Sequence, residues 1–198
     1  MANATADYGF VPVKSLVGEI RTIRCAVAAG YGVALFVGDP VELAGSGFNA
    51  HPTIQVSAAA NVNTFGVVVG FEATGPDSLT TQHSLASTAG TAIVVPTLPG
   101  TIFRVNSSNT TGARLDDIGL RFDHVAGTGD SLTGKSGYAL DLGDDATAGS
   151  ATENQWLLIG FDDRVDNEYS TTVTTDTANI DLLVVCAEST WHTGGPGA

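Results

Sequence analysis

The segment Gly129-Asp-Ser-Leu-Thr-Gly134-Lys135-Ser136 matches, position for position, the glycine-rich pattern that cradles nucleotide phosphates. That chemistry needs a buried parallel strand before the loop and a helix after it, so that backbone amides and the helix dipole converge on the phosphates. Neither flank complies. Upstream, Phe122-Asp-His-Val-Ala-Gly-Thr is interrupted by polar and glycine residues, and downstream Gly137-Tyr138-Ala-Leu140-Asp-Leu142 alternates as a strand does. The segment is therefore expected to be a hairpin turn. Trp156–Asp162 imitates the apolar run that ends in a metal-binding aspartate, but the covering helices that would unite the two motifs are missing from the pattern.

Carboxylates cluster at Asp162, Asp163, Asp166 and Glu168 and again at Asp141, Asp144 and Asp145. Their spacing lacks the central glycine and terminal glutamate of a Ca²⁺ loop, so a solvated acidic loop is expected. The histidines, His51, His83, His124 and His192, stand in separate segments with no zinc-ligand spacing, and two isolated cysteines add no ligand set. Ser131 and Ser136 lie beside glycines but outside the nucleophile-elbow pattern. No catalytic residue, metal or cofactor is expected, and the chain reads as a non-enzyme. Cys25 and Cys186 sit among apolar neighbours and suit buried free thiols, with a disulfide between them left open.

The elements that hold these residues are strands. Short apolar runs bounded by Gly, Pro, Asn and Asp predict strands at Val33–Val37, Pro40–Leu43, Thr53–Ser57, Thr64–Phe71, Thr91–Val95, Ile102–Val105, Gly119–Phe122, Tyr138–Leu142, Gln155–Ile159 and Ile180–Cys186. Ile20–Ala29 suits a helix or a strand. Turn chemistry is dense, as at Gly38-Asp-Pro40 and Gly75-Pro-Asp77. The expected fold is all-β, an antiparallel β-sandwich or barrel with short strands, many Gly/Pro turns and extended N- and C-terminal arms. The expected organisation is an arm over 1–12, a single β domain over 13–187 and a flexible tail over 188–198.

A net charge of −13, from 8 Lys and Arg against 21 Asp and Glu, disfavours nucleic acid and anionic membranes. Residues 1–110 carry four cations against six acids, while residues 111–198 carry four against fifteen, so one part suits docking and the other solubility. The first residues lack the basic and apolar regions of a signal peptide, and no window is long and apolar enough for a membrane helix; synthesis in a cytoplasm is expected.

The order of five segments carries a resemblance. Ala34-Leu-Phe-Val-Gly-Asp-Pro-Val-Glu-Leu-Ala-Gly45 is followed by Phe65-Gly-Val-Val-Val-Gly-Phe-Glu72, by Asp117-Ile-Gly-Leu through Gly127–Gly137, by Leu157-Leu-Ile-Gly-Phe161 with Asp166-Asn167, and by Asn179-Ile-Asp-Leu-Leu-Val-Val185. In this layout the chain resembles the capsid decoration or cement proteins that stabilise the heads of tailed bacteriophages. The resemblance spans roughly residues 9–186. It implies a non-enzymatic, mainly β virion protein on the outer capsid surface, bound to the major capsid protein as a homo-oligomer, with a homotrimer expected ahead of a dimer. It also implies an apolar residue where Lys135 stands, which makes that lysine incidental. The tail 188–198 and Pro96-Thr-Leu-Pro99 depart from the family layout.

Aromatic and arginine residues are the usual interface anchors, so the expected capsid contacts are Tyr8, Phe10, Val11, Lys14, Arg21 and Arg24, with Trp191 as an anchor in the tail. The alternative is a β-sandwich binding module for a host glycan or receptor, which aromatics clustered on one loop would favour; the sequence offers only scattered ones such as Trp156, Tyr169 and Trp191.

Overall fold

The structure is a computed structural model that describes residues 8–48, 50–57, 63–73, 82–108, 112–143, 155–169 and 177–191. It is all-β: among the described residues the helical content is one 3-10 turn at Leu115–Asp117. The strands are β1 (Val11–Ser15), β2 (Ile23–Val27), β3 (Pro40–Phe48), β4 (His51–Val56), β5 (Gly66–Phe71), β6 (Gly90–Pro96), β7 (Thr101–Asn106), β8 (Arg121–Val125), β9 (Ala139–Asp141), β10 (Trp156–Phe161) and β11 (Asp181–Cys186).

Strands β2 to β6 close a five-stranded barrel in the order β2-β4-β3-β5-β6, and the other strands form a six-stranded sheet, β1-β7-β11-β10-β8-β9. That sheet also curls back on itself. Leu140 of β9 bridges Ser107, just past β7, in parallel, and the Ser108 amide donates to the Leu140 carbonyl at 2.8 Å. The first barrel closes the same way, through the parallel pair Ala26↔Thr53 of β2 and β4.

The two closures are one topology used twice. In each unit the first strand pairs with the third in parallel and with the fifth antiparallel, the fifth pairs with the fourth, the fourth with the second, and the second with the third. Registers agree as well. Val67↔Val95, Val68↔Val94, Gly70↔Ile93 and Phe71↔Ala92 are matched at a constant offset by Leu157↔Val185, Leu158↔Val184, Gly160↔Leu183 and Phe161↔Leu182, with a bulge at the same step. The bonds outside the ladders repeat too. Gly38 donates to Val68 O and Gly119 to Leu158 O, both at 2.8 Å, and Val68 and Leu158 return bonds of 3.0 Å to Asp39 and Leu120. Gly38 and Gly119 have φ of 101° and 95°, a backbone region that excludes most side chains, so the turn entering the second strand requires glycine in both units.

Alternation sets the two cores. Cys25, Val27, Val41, Ile54, Val68 and Val94 fill the first barrel, and their counterparts Val105, Phe122, Leu140, Leu158 and Val184 fill the second with Phe103 and Trp156. Val67 and Val95, on the outer face of the first barrel, pack into the second barrel's cluster, so the barrels share apolar contact.

The ends cross over. β1, which precedes the first barrel, pairs antiparallel with β7 of the second. Residues 188–191, which follow the second barrel, lie on the first: the Thr64 amide donates to Glu188 O at 3.0 Å, and Ser189 Oγ to Thr97 O at 2.6 Å. Of the expected arm and tail, residues 8–12 and 188–191 pack on the opposite barrel, and residues 1–7 and 192–198 lie outside the described residues. The expected strand Val33–Val37 is corrected. Leu35 and Val37 make only isolated bridges, because the Asp39 carboxylate accepts the Phe36 amide at 2.8 Å and turns the chain before Pro40. Ile20–Ala29 resolves as the strand Ile23–Val27.

Candidate docking groove

The motifs with apparent chemistry are consumed by structure. In the segment 129–136, Asp130 accepts the Leu132 amide and the Thr133 hydroxyl, each at 2.8 Å, and its own amide donates to Lys135 O at 2.9 Å. The Leu132 amide and the Thr133 hydroxyl hold Asp130 below the usual carboxylate range. The loop is a tight turn followed by strand β9, and Ser136, 1% exposed, accepts the Tyr138 amide at 3.0 Å.

Part of the acidic segment is ion-paired. Arg164 reaches Asp162 at 3.4 Å, Asp166 at 3.3 Å and Asp181 at 2.5 Å, while Arg104 meets Asp162 at 3.2 Å. Among the described residues no cluster of His, Cys, Asp or Glu is arranged for a metal; Asp144 and Asp145 lie outside them. Both cysteines are buried free thiols, pushed up by burial to about 11 for Cys25 and about 12 for Cys186.

His124 is fully buried. Its Nε2 faces Ser57 O at 3.0 Å, and its Nδ1 lies 3.2 Å from the Trp156 indole nitrogen, which can only donate. The ring is therefore the neutral Nε2–H tautomer, and burial pushes it down to about 4 against the single hydrogen bond to Ser57. Burial lifts Asp39 to about 6, opposed by hydrogen bonds from Ser136 and Phe36.

The expected contact residues separate into two groups. Phe10 is 1% exposed, stacked on Trp156 at 4.2 Å between ring centroids, and its assignment as a surface contact is corrected: its ring fills the second barrel's mouth. Tyr8 is half-buried on the outer face of its own chain, donating to Asp181 at 2.6 Å with Arg104 lying 5.6 Å over its ring, and Val11 is half-buried beside Arg104. Burial and the Asp181 carboxylate raise the Tyr8 phenol far above its ordinary value.

The others stay outside. Lys14 lies on β1 beside Val13, Leu16 and Val17, all exposed, and Arg21 lines a hollow of about 280 Å³ with Val17, Pro96 and Leu98. Arg24 and Trp191, far apart in sequence, meet at one groove of about 540 Å³ with Ile23, Leu43, His51, Pro52 and Phe65. Trp191 is fixed there: its indole N–H donates to Phe65 O at 2.8 Å and its ring lies 5.0 Å from that of Phe65. Arg24 Nε meets Glu72 at 2.6 Å. Sequence reasoning missed Ile23, Leu43, His51 and Pro52, which come together only because the N-terminal ends of β2 and β4 and the body of β3 share one barrel mouth.

Comparison with protein-family models, with curated proteins and with solved structures finds no match to this chain.

Proposed function

We propose that the protein is a non-enzymatic structural subunit that binds the outer surface of a tailed-phage head and stabilises the mature shell. In this reading it docks on the major capsid protein as a homotrimer over three-fold sites. The observation that carries the reading is the division of its side chains. Residues whose types suggest chemistry, at Asp130–Ser136 and at Asp162, Asp166 and Asp181, are tied into turns and ion pairs, while Lys14, Leu16 and Val17 are exposed, Arg21 lines a mixed hollow, and Arg24 and Trp191 line an open apolar groove. Apolar surface flanked by arginine and tryptophan is the composition of a protein interface. Multiplying a modest contact over a symmetric shell gives high avidity.

The experiment is cosedimentation of the purified protein with undecorated mature capsids and with unexpanded precursor shells, counted as copies per shell. Saturable binding to mature shells at a stoichiometry matching three-fold axes is the expected result. Failure to bind either shell would overturn the reading and direct attention to glycan arrays, where the exposed indole of Trp191 is the side chain a sugar would stack on.

A further inference from the structure

We infer that the groove at Arg24 and Trp191 is a strand-accepting slot, which takes an extended segment of a partner protein running antiparallel to β2 and inserting an aromatic side chain into the first barrel. The inference does not depend on the partner being a capsid. It comes from the internal repeat, because the same slot in the second barrel is already filled.

In the second barrel, β7 and β9 meet only through Ser107↔Leu140, so their N-terminal ends diverge at the barrel mouth. β1 occupies that gap, pairing Val11↔Arg104, Pro12↔Phe103, Lys14↔Ile102 and Ser15↔Thr101. Gly9, at φ 74° and pressed against Gly38 and Ser136, kinks the chain so that Tyr8 and Phe10 part company. Tyr8 covers the Arg104 guanidinium outside, and Phe10 enters the mouth against Trp156 and His124.

In the first barrel, the equivalent strands β2 and β4 meet only at Ala26↔Thr53. Arg24 is the counterpart of Arg104, because it pairs with Ile93 where Arg104 pairs with Leu183, and Leu43 is likewise the counterpart of His124. Among the described residues Ile23, Arg24 and Cys25 pair only with β6, so their groove-side edge has no ladder partner although β4 begins beside it. Leu43, 41% exposed, faces the open groove, whereas His124 is fully buried with Phe10 against it. An open strand edge beside an apolar mouth is the arrangement that captures a peptide by strand addition, with main-chain bonds giving affinity and the mouth giving specificity. The occupant chemistry follows from the filled copy: an extended aromatic-Gly-aromatic segment, one ring over Arg24 and the other over Leu43 and Ile23.

The test uses the full chain and a synthetic peptide of its own sequence Tyr8–Ser15, which contains no tryptophan. Trp191 lines the slot and reports binding by fluorescence, with Trp191→Phe as the silent control. Saturable binding with a dissociation constant on the order of 10–100 μM is expected, weakened roughly tenfold by Leu43→Glu in the protein and by Phe10→Ala in the peptide. Circular dichroism verifies that the Leu43→Glu protein is folded. Absence of binding at millimolar peptide would overturn the inference. So would equal binding to Leu43→Glu, which would place the peptide in the β7 slot by exchange with β1. Sedimentation showing a dimer that Leu43→Glu dissociates would put a second copy of the chain in the slot and overturn a foreign occupant.

Discussion

Arg24 and Arg104 stand at the same place in the two barrels, on the outer face of the first strand, and each holds the acid that follows the fourth strand: Arg24 meets Glu72 at 2.6 Å and Arg104 meets Asp162 at 3.2 Å. Their surroundings differ. The first pair has side chains 65% and 34% exposed, the second 23% and 20%, because Tyr8 lies over Arg104 and, among the described residues, no ring stacks on Arg24 in the same way. Exposed ion pairs contribute little, whereas removing one partner of a shielded pair strands the other. Arg24→Ala is expected to change unfolding free energy by less than about 0.5 kcal/mol, and Arg104→Ala to lower it by about 1–3 kcal/mol, as read by denaturant titration.

The buried Asp39 and His124 give the stability a pH dependence of two opposing signs. His124 is depressed in the fold from 6.5 to about 4, so its contribution is full above about 6.5 and is lost as pH falls toward 4, where the unfolded chain takes the proton first. Asp39 is raised from 3.8 to about 6, so the folded state takes that proton first, and its contribution is full below 3.8 and lost as pH rises through 6. Asp39→Asn removes the second effect. The variant is expected to gain on the wild type by about 1–3 kcal/mol between pH 4 and pH 7, measured by urea unfolding at both values.

Gly38 and Gly119 make the same turn, but a Cβ on Gly38 would lie 2.6 Å from Tyr8 O, while one on Gly119 meets nothing within 4 Å. Gly119→Ala should cost about 1 kcal/mol, the backbone penalty alone. Gly38→Ala should cost more, about 2–4 kcal/mol, because the segment carrying Phe10 must shift as well. Thermal unfolding of the two variants side by side separates the terms.

Lys135→Ala should leave stability within about 0.5 kcal/mol, and neither protein should bind ATP with Mg²⁺ in equilibrium dialysis. Asp130→Ala should cost about 1 kcal/mol, since the carboxylate closes the turn through Leu132 and Thr133.

Much of the fold was legible because turn residues and alternation act locally. Gly-Asp-Pro at 38–40 marks the entry to β3, and the run Leu182–Cys186 alternates buried and half-buried as a strand facing one core. The turn at 129–136 was readable from its flanks. β1 was not, since Val-Pro-Val-Lys-Ser has a proline and no amphipathic pattern; what makes it a strand is the free edge of β7. The repeat was hidden for a related reason. Val-Val-Gly-Phe-Glu at 68–72 and Leu-Ile-Gly-Phe-Asp at 158–162 share glycine, phenylalanine and an acid, but Gly66 stands where Trp156 does, and the topology is conserved by backbone pairing more than by side-chain identity. The groove escaped for the same cause, as five segments build it and none announces it. Phe10 looked like an anchor and is one, for its own chain's interior.

The crossing of the two ends has a consequence for divisibility. Each barrel contains the strands to close itself, yet each is tied to a segment encoded on the far side of the other: β1 pairs with the second, and Ser189 and Trp191 are bonded to the rim of the first. Cutting the chain in the short link between β6 and β7 would give two fragments that each carry the other's missing clasp. Produced separately, neither would be whole; mixed, they would rebuild the molecule by trading those clasps.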